Sequence, residues 1–230
     1  MVQSFNISGI VNAFRVIWNP SLAIPHIIVN DVRNINFGTL KGKGGVQAIG
    51  FDKDNCLTAP YVSQIHQPFE EAWIECKNTF GVDNVAIVSN SAGTNDDKDY
   101  TDNLIFTSLS NFAFRLCAKK LEQSLGVPVL RHSEKKPLGG RELQKHFGQT
   151  SPRQTVFVGD RIFTDVLFGN INGNLTIWTS KIVTEQGDNK AAALLRRMEY
   201  RLIKFLQMMG VQAPEHPIIQ TTKDKNLFIK

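Results

Sequence analysis

The 230-residue chain predicts an α/β fold, a doubly wound (Rossmann-like) parallel sheet, on three observations. Short apolar runs alternate with helical patterns along most of its length. Runs such as Val85-Ala86-Ile87-Val88 are apolar at successive positions, as strands buried on both faces require. Polar residues follow these runs directly, at the carboxyl strand ends where open α/β sheets bind ligands.

The elements follow in order. Val46 to Phe51 reads as a strand after the loop of Gly42, Gly44 and Gly45. A helix is predicted from Pro68 to Phe80, with proline near its start and Gly81 just past its end. Val85 to Val88 is the next strand. A helical pattern from about Leu109 to Leu125 stops at Gly126. Val127 to Leu130 reads as a short strand and Gly140 to Phe147 as a short helix. Thr155 to Val158 is a strand, Thr164 to Asn170 a helix, Leu175 to Trp178 a strand and Asn189 to Met209 a closing helix. The division expected is 1–40 as an N-terminal amphipathic, membrane-associating segment, 41–210 as the α/β domain, and 211–230 as an irregular or packed tail.

Composition narrows the function classes. At 42% hydrophobic residues the chain can build a core. A net charge of +5 favours anionic partners without choosing between nucleic acid, acidic lipid and phosphorylated substrates. Three cysteines, Cys56, Cys76 and Cys117, without C-x-x-C spacing argue against a disulfide framework or a thiolate zinc site. Cys76 and Cys117 fall in helical patterns and are expected to be buried, and the five histidines show no ligand spacing. No apolar run approaches the ~20 residues that span a bilayer, and the first residues do not read as a secretory signal.

The strand-end residues carry the chemistry. Asp52 and Asp54 follow the first core strand, and two close carboxylates repel unless a cation or proton lies between them. Asp160 and Asp165 follow a later strand and add charge, so Asp52, Asp54, Asp160 and Asp165 form an oxygen donor set for a hard divalent ion, Mg²⁺ beside phosphate. Lys136 supplies a positive charge for a phosphoryl group, and Ser89 and Asn90 can hydrogen-bond its oxygens. The set suits covalent phosphoryl transfer, with Asp52 as nucleophile, Asp54 as general acid and base, and Lys136 neutralising charge.

These residues resemble a known family. Phe51-Asp52-Lys53-Asp54-Asn55-Cys56-Leu57 is similar to the first motif of the haloacid dehalogenase-like (HAD) phosphatases. Val85 to Ser91, ending around Ser89, resembles the second motif, and Lys136-Pro137 the third. Val156 to Val166, with Asp160 and Asp165, resembles the fourth, and all four stand in the expected order. Cys56 departs from the Thr or Ser that many members carry. The Asp-Lys-Asp-Asn-Cys and Lys-Lys-Pro forms resemble most the fungal mitochondrial phosphatidylglycerophosphate phosphatases. That resemblance implies a capless HAD-like fold, Mg²⁺, and dephosphorylation of phosphatidylglycerophosphate for cardiolipin synthesis. It implies a peripheral site at the matrix side of the mitochondrial inner membrane, with an anionic phospholipid as partner and no nucleic acid.

Two features bear on a lipid substrate. Asp52 and Ser89 are 37 positions apart and Ser89 and Lys136 are 47, which leaves little room for a cap and predicts an open site. A phosphoprotein phosphatase would exploit the same openness. Ile7, Ile10, Val11, Phe14, Ile17 and Trp18 fall on one helical face, ended by Asn19-Pro20. That face could meet a lipid interface, pack on the core or join two copies. Arg197, Arg201 and Lys204 share a face of the closing helix and could meet anionic lipid or only solvent. The acidic stretch 95–102 reads as a solvated loop or as a border of the site.

Overall fold

The fold is that of a computed structural model, which describes residues 15–90, 117–132, 134–184, 190–222 and 225–230. Five strands form one sheet: β1 (Ile27–Val29), β2 (Ala48–Phe51), β3 (Val85–Ile87), β4 (Thr155–Gly159) and β5 (Leu175–Thr179). Their order is β1-β5-β4-β2-β3, and all four pairings are parallel. Every residue of β2, β3, β4 and β5 is buried, which explains why their sequences lack polar alternation.

Helices cover both faces. They are α1 (Phe37–Gly42), α2 (Glu70–Phe80), α3 (Cys117–Leu125), α4 (Gly140–His146), α5 (Leu167–Ile171), α6 (Lys190–Met208) and α7 (Pro217–Thr222). On one face Ile49 and Phe51 meet Phe37 of α1, Trp73 of α2 and Leu121 of α3. On the other, Ala48 and Phe157 meet Leu143 of α4 and Phe168 of α5. Burying each such phenylalanine contributes about 1.5–3 kcal/mol.

The strand order positions the site. The chain leaves β2 for β3 on one side and returns to β4 on the other. Loops after β2 and β4 therefore diverge and open a crevice between them. Asp52 lies at the end of β2, and its N–H still donates to the Val158 carbonyl of β4 at 2.8 Å.

The structure departs from the expectations in three places. Residues 27–42 are not outside the sheet: β1 is its edge strand and α1 packs into the main core. A three-residue edge strand carries too little pattern to stand out. Second, 127–130 forms a single bridge between Val129 and Ile87 rather than a strand. Pro128 has no N–H, so the ladder cannot extend through it. Third, the helix expected at 164–170 opens as a π-turn, Ile162–Val166, before α5. The tail takes the packed alternative, held by contacts distant in sequence. Phe228 is fully buried, Ile229 bridges Ile35, and Lys230 pairs with Glu75.

A histidine ties these outer parts together. The buried His26 Nδ1 accepts the Thr176 N–H of β5 at 3.1 Å. Its proton therefore sits on Nε2, which donates to the Pro214 carbonyl at 3.0 Å. Burial first, then His216 edge-on at 5.2 Å, pushes its pKa down to about 3.

Of the N-terminal apolar face, Ile7, Ile10, Val11 and Phe14 lie outside the described residues, as do 91–116 with the acidic stretch. Residues 15–18 are helical, and Val16 packs beside Ile203 and Leu206 of α6.

Candidate active site

The site forms where β2 and β4 end. Asp52, Asp160 and Asp165 each bring a carboxylate oxygen within 4.8 Å of the others. A glycine makes this approach possible. A Cβ on Gly159 would lie 2.3 Å from the Asp165 Cβ, so only glycine lets the loop fold back against the strand end.

Lys136 ties the acids together across the crevice. Its Nζ donates to Asp52 Oδ1 at 2.5 Å and to Asp165 Oδ1 at 2.7 Å. The ammonium is fully buried and lies 5.4 Å above the Phe157 ring. Burial opposes its charge, but Asp165 and Asp52 outweigh burial and hold its pKa above the ordinary lysine value. Asn90 places it: the Lys136 N–H donates to Asn90 Oδ1 at 2.7 Å. The His132 ring reaches from the Ser89 carbonyl at 3.0 Å to the Glu134 carbonyl at 2.5 Å. It thus joins the loop after β3 to the loop of Lys136. Burial lowers the His132 pKa, against the two carbonyl contacts, which raise it.

The acids are strongly perturbed. Burial, with Lys136 opposing and Asp165 and Asp54 adding, pushes Asp52 up to about 6. Burial, then Asp165 and Asp52, pushes Asp160 well above the carboxylate range, against Arg196. Three close carboxylates face Lys136 and Arg196, which leaves excess negative charge in a buried crevice. Asp160 Oδ2 accepts from Arg196 Nε at 3.1 Å and Nη2 at 2.9 Å. Asp160 Oδ1 is buried and has no hydrogen-bond partner among the described residues. An orphaned oxygen among all-oxygen donors fits a hard divalent cation, held by Asp52, Asp160 and Asp165.

The Asp54 carboxylate is not part of that cluster. It is partly exposed and accepts from Lys53 Nζ and from the Tyr61 N–H at 2.9 Å. Lys53 is itself buried and also donates to the Val62 carbonyl at 3.2 Å. Asp54 is thereby turned toward the loop after β2, at the rim rather than in the base. Ser89 is buried, directly beyond β3.

Two residues not anticipated from the sequence complete the site. Arg196 and Glu199 both project from the inner face of α6. The buried Glu199 accepts from the N–H groups of Ile162 at 3.4 Å and Phe163 at 3.2 Å, capping the loop between Asp160 and Asp165. The signal was present: Arg196, Glu199, Ile203 and Leu206 share one face of α6, placing two charges on its apolar side. The adjacent Arg197, Arg201 and Lys204, read from the sequence as meeting anionic lipid or solvent, are exposed.

The family model of mitochondrial PGP phosphatases matches residues 7–184. The chain belongs to this family. Among curated members, it is 37% identical to phosphatidylglycerophosphate phosphatase 1, chloroplastic/mitochondrial, of Arabidopsis thaliana, over 99% of this chain and 60% of that one. It is 35% identical to the chloroplastic phosphatidylglycerophosphate phosphatase 1 of Chlamydomonas reinhardtii, over 94% and 74%. It is 33% identical to the mitochondrial phosphatidylglycerophosphatase of Saccharomyces cerevisiae, over 87% and 98%. The family match contains Asp52, Asp54, Ser89, Lys136, Asp160 and Asp165, and it ends before α6. No helix among the described residues is long and apolar enough to cross a membrane.

Proposed function

We propose that the chain hydrolyses the phosphate monoester of phosphatidylglycerophosphate, giving phosphatidylglycerol for cardiolipin synthesis at the matrix face of the mitochondrial inner membrane. The observation that carries this reading is the Asp52 carboxylate held by buried Lys136 beside Asp160 and Asp165. It stands in a chain whose relatives are named for that substrate.

The residues divide the reaction. Lys136 occupies Asp52 Oδ1, so attack on phosphorus falls to Oδ2 and forms an aspartyl-phosphate. The same ammonium neutralises charge growing on the phosphoryl oxygens, in a buried place where such charge is poorly screened. Asp54, at the rim on the loop after β2, gives a proton to the departing glycerol oxygen. It then takes one from the water that opens the aspartyl-phosphate. Lys53 and the Tyr61 N–H fix the Asp54 carboxylate for both steps. Ser89 and Asn90 line the exit of β3, where Asn90 also sets the Lys136 backbone. Mg²⁺ is the cation proposed for Asp52, Asp160 and Asp165, and when bound it supplies Lewis-acid charge to the phosphoryl group.

The test is phosphate release from phosphatidylglycerophosphate in vesicles, set against a phosphoserine peptide. The wild type is expected to prefer the lipid and Asp52→Asn to release no phosphate from it. Faster turnover of the peptide would replace the substrate assignment. Undiminished release by Asp52→Asn would remove the nucleophile.

A further inference from the structure

We propose that the outer face of α6 docks on an anionic lipid bilayer and sets the site at the level of the lipid headgroups. This deepens the reading above and rests on it for the substrate. The geometry comes from α6 itself. Its inner face holds Asp160 through Arg196 and the loop before Asp165 through Glu199. Its outer face carries large apolar side chains without cover: Met198 is 57% exposed, Phe205 51% and Met208 78%. These lie at i, i+7 and i+10, one stripe along the helix.

The occupant follows from the charge. Arg197, Arg201 and Lys204 flank the stripe and are exposed. Glu199 is the one acidic residue in the α6 sequence, and it is buried on the opposite side. Among the described residues of α6, the exposed face is therefore apolar and basic, and its one acid lies on the other side. A second copy of α6 laid on this face would set like charges together, whereas anionic headgroups complement them. Trp18 lies on the short segment that packs beside α6. It is 89% exposed, two residues after Val16, which packs against Ile203 and Leu206 of α6. An exposed indole beside an apolar, basic helix suits the boundary between headgroups and acyl chains.

The depth is consistent. The faces of a helix are about 10–12 Å apart, and an interfacial helix sinks about 5–10 Å. With α6 on the bilayer, Asp160 on its inner side stays close to the plane of the lipid phosphates. The substrate phosphate then reaches the crevice without leaving the membrane.

The experiment is sedimentation of the full chain with phosphatidylcholine vesicles, with and without added phosphatidylglycerol as the anionic lipid. Asp52→Asn is used as background, so that turnover plays no part. Binding is expected only with the anionic lipid, and to weaken as salt rises. Met198→Ser/Phe205→Ser and Arg197→Gln/Arg201→Gln/Lys204→Gln should each weaken it at least tenfold, with unchanged far-ultraviolet dichroism. Trp18→Ser, which removes no core contact, should weaken it severalfold. Vesicle binding retained by both multiple variants would overturn the proposal. A dimer in solution that Met198→Ser/Phe205→Ser separates would overturn it too, with a second copy as occupant. The two readings fail separately: vesicle binding through α6 without lipid phosphatase activity leaves the docking surface and removes the substrate.

Discussion

Replacing Lys136 by methionine keeps most of the side-chain volume and removes one buried charge between two acids. Lys136 Nζ is within 2.7 Å of both Asp52 and Asp165, and the side chain is 1% exposed. Surface ion pairs are worth about 0–1 kcal/mol, but a buried pair broken on one side costs about 3–5 kcal/mol. The lower end is expected here, because Asp52 already sits near 6 and escapes part of the cost by taking a proton. A loss of about 3 kcal/mol lowers the melting temperature by roughly 6–12 °C in a chain of this size. The sign with pH follows. An acid whose folded pKa lies above its unfolded value binds protons on folding, so acidification favours the folded state. The deficit of Lys136→Met should therefore shrink between pH 7.5 and 5.5, as Asp52 protonates. Urea melts at the two pH values, without divalent ions, measure it. Phosphate release should also fall by about 100-fold or more, the scale for one preorganised charge at a transition state. A deficit below 1 kcal/mol, or one that stays constant with pH, would refute the reasoning about these acids.

Three further outcomes are expected. Gly159→Ala forces Asp165 away from the strand end, because the new Cβ would lie 2.3 Å from the Asp165 Cβ. It should lose activity together with its stabilisation by divalent cation, as read by calorimetry. Mg²⁺ at a hundred times its dissociation constant should stabilise the wild type by about 2.7 kcal/mol, and Asp160→Asn should lose most of this while Asp54→Asn keeps it. Finally, His26 and His216 are held neutral, at about 3 and about 4 against 6.5 unfolded. Their contribution is complete above pH 6.5 and is lost as pH falls toward 4, at about 1.4 kcal/mol per unit per histidine. The site acids titrate with the opposite sign, so the wild type is compared with His216→Phe. The variant should lose less stability between pH 7 and 5, by about 2 kcal/mol.

The motifs were legible because their signals are local. A strand buried on both faces is an apolar run, and the first polar residue after it stands at the carboxyl end of the sheet. Asp52, Ser89 and Asp160 can each be read in that way without knowing the strand order. The family resemblance lay in the same short segments, and the match over 7–184 agrees with it. The placement of Asp54 was less legible. Its position two residues beyond Asp52 suggested a shared cation, but Lys53 and the Tyr61 N–H turn its carboxylate toward the rim.

By itself, then, the sequence determined that β2, β3, β4 and β5 would be parallel buried strands, and which acids would follow them. Burial pattern and chain direction are properties of a few neighbouring residues. Only the tertiary structure decided that three residues at 27–29 would close the sheet beside β5, and that Phe228 would fill the core. It alone decided that Lys136 would meet Asp52 from 84 residues away, and Arg196 meet Asp160 from 36. Such pairings depend on where whole elements pack. On α6 the choice between Arg196 and Arg197 is one step of about 100° around a helix. That step separates a residue that holds Asp160 from one proposed to meet the membrane.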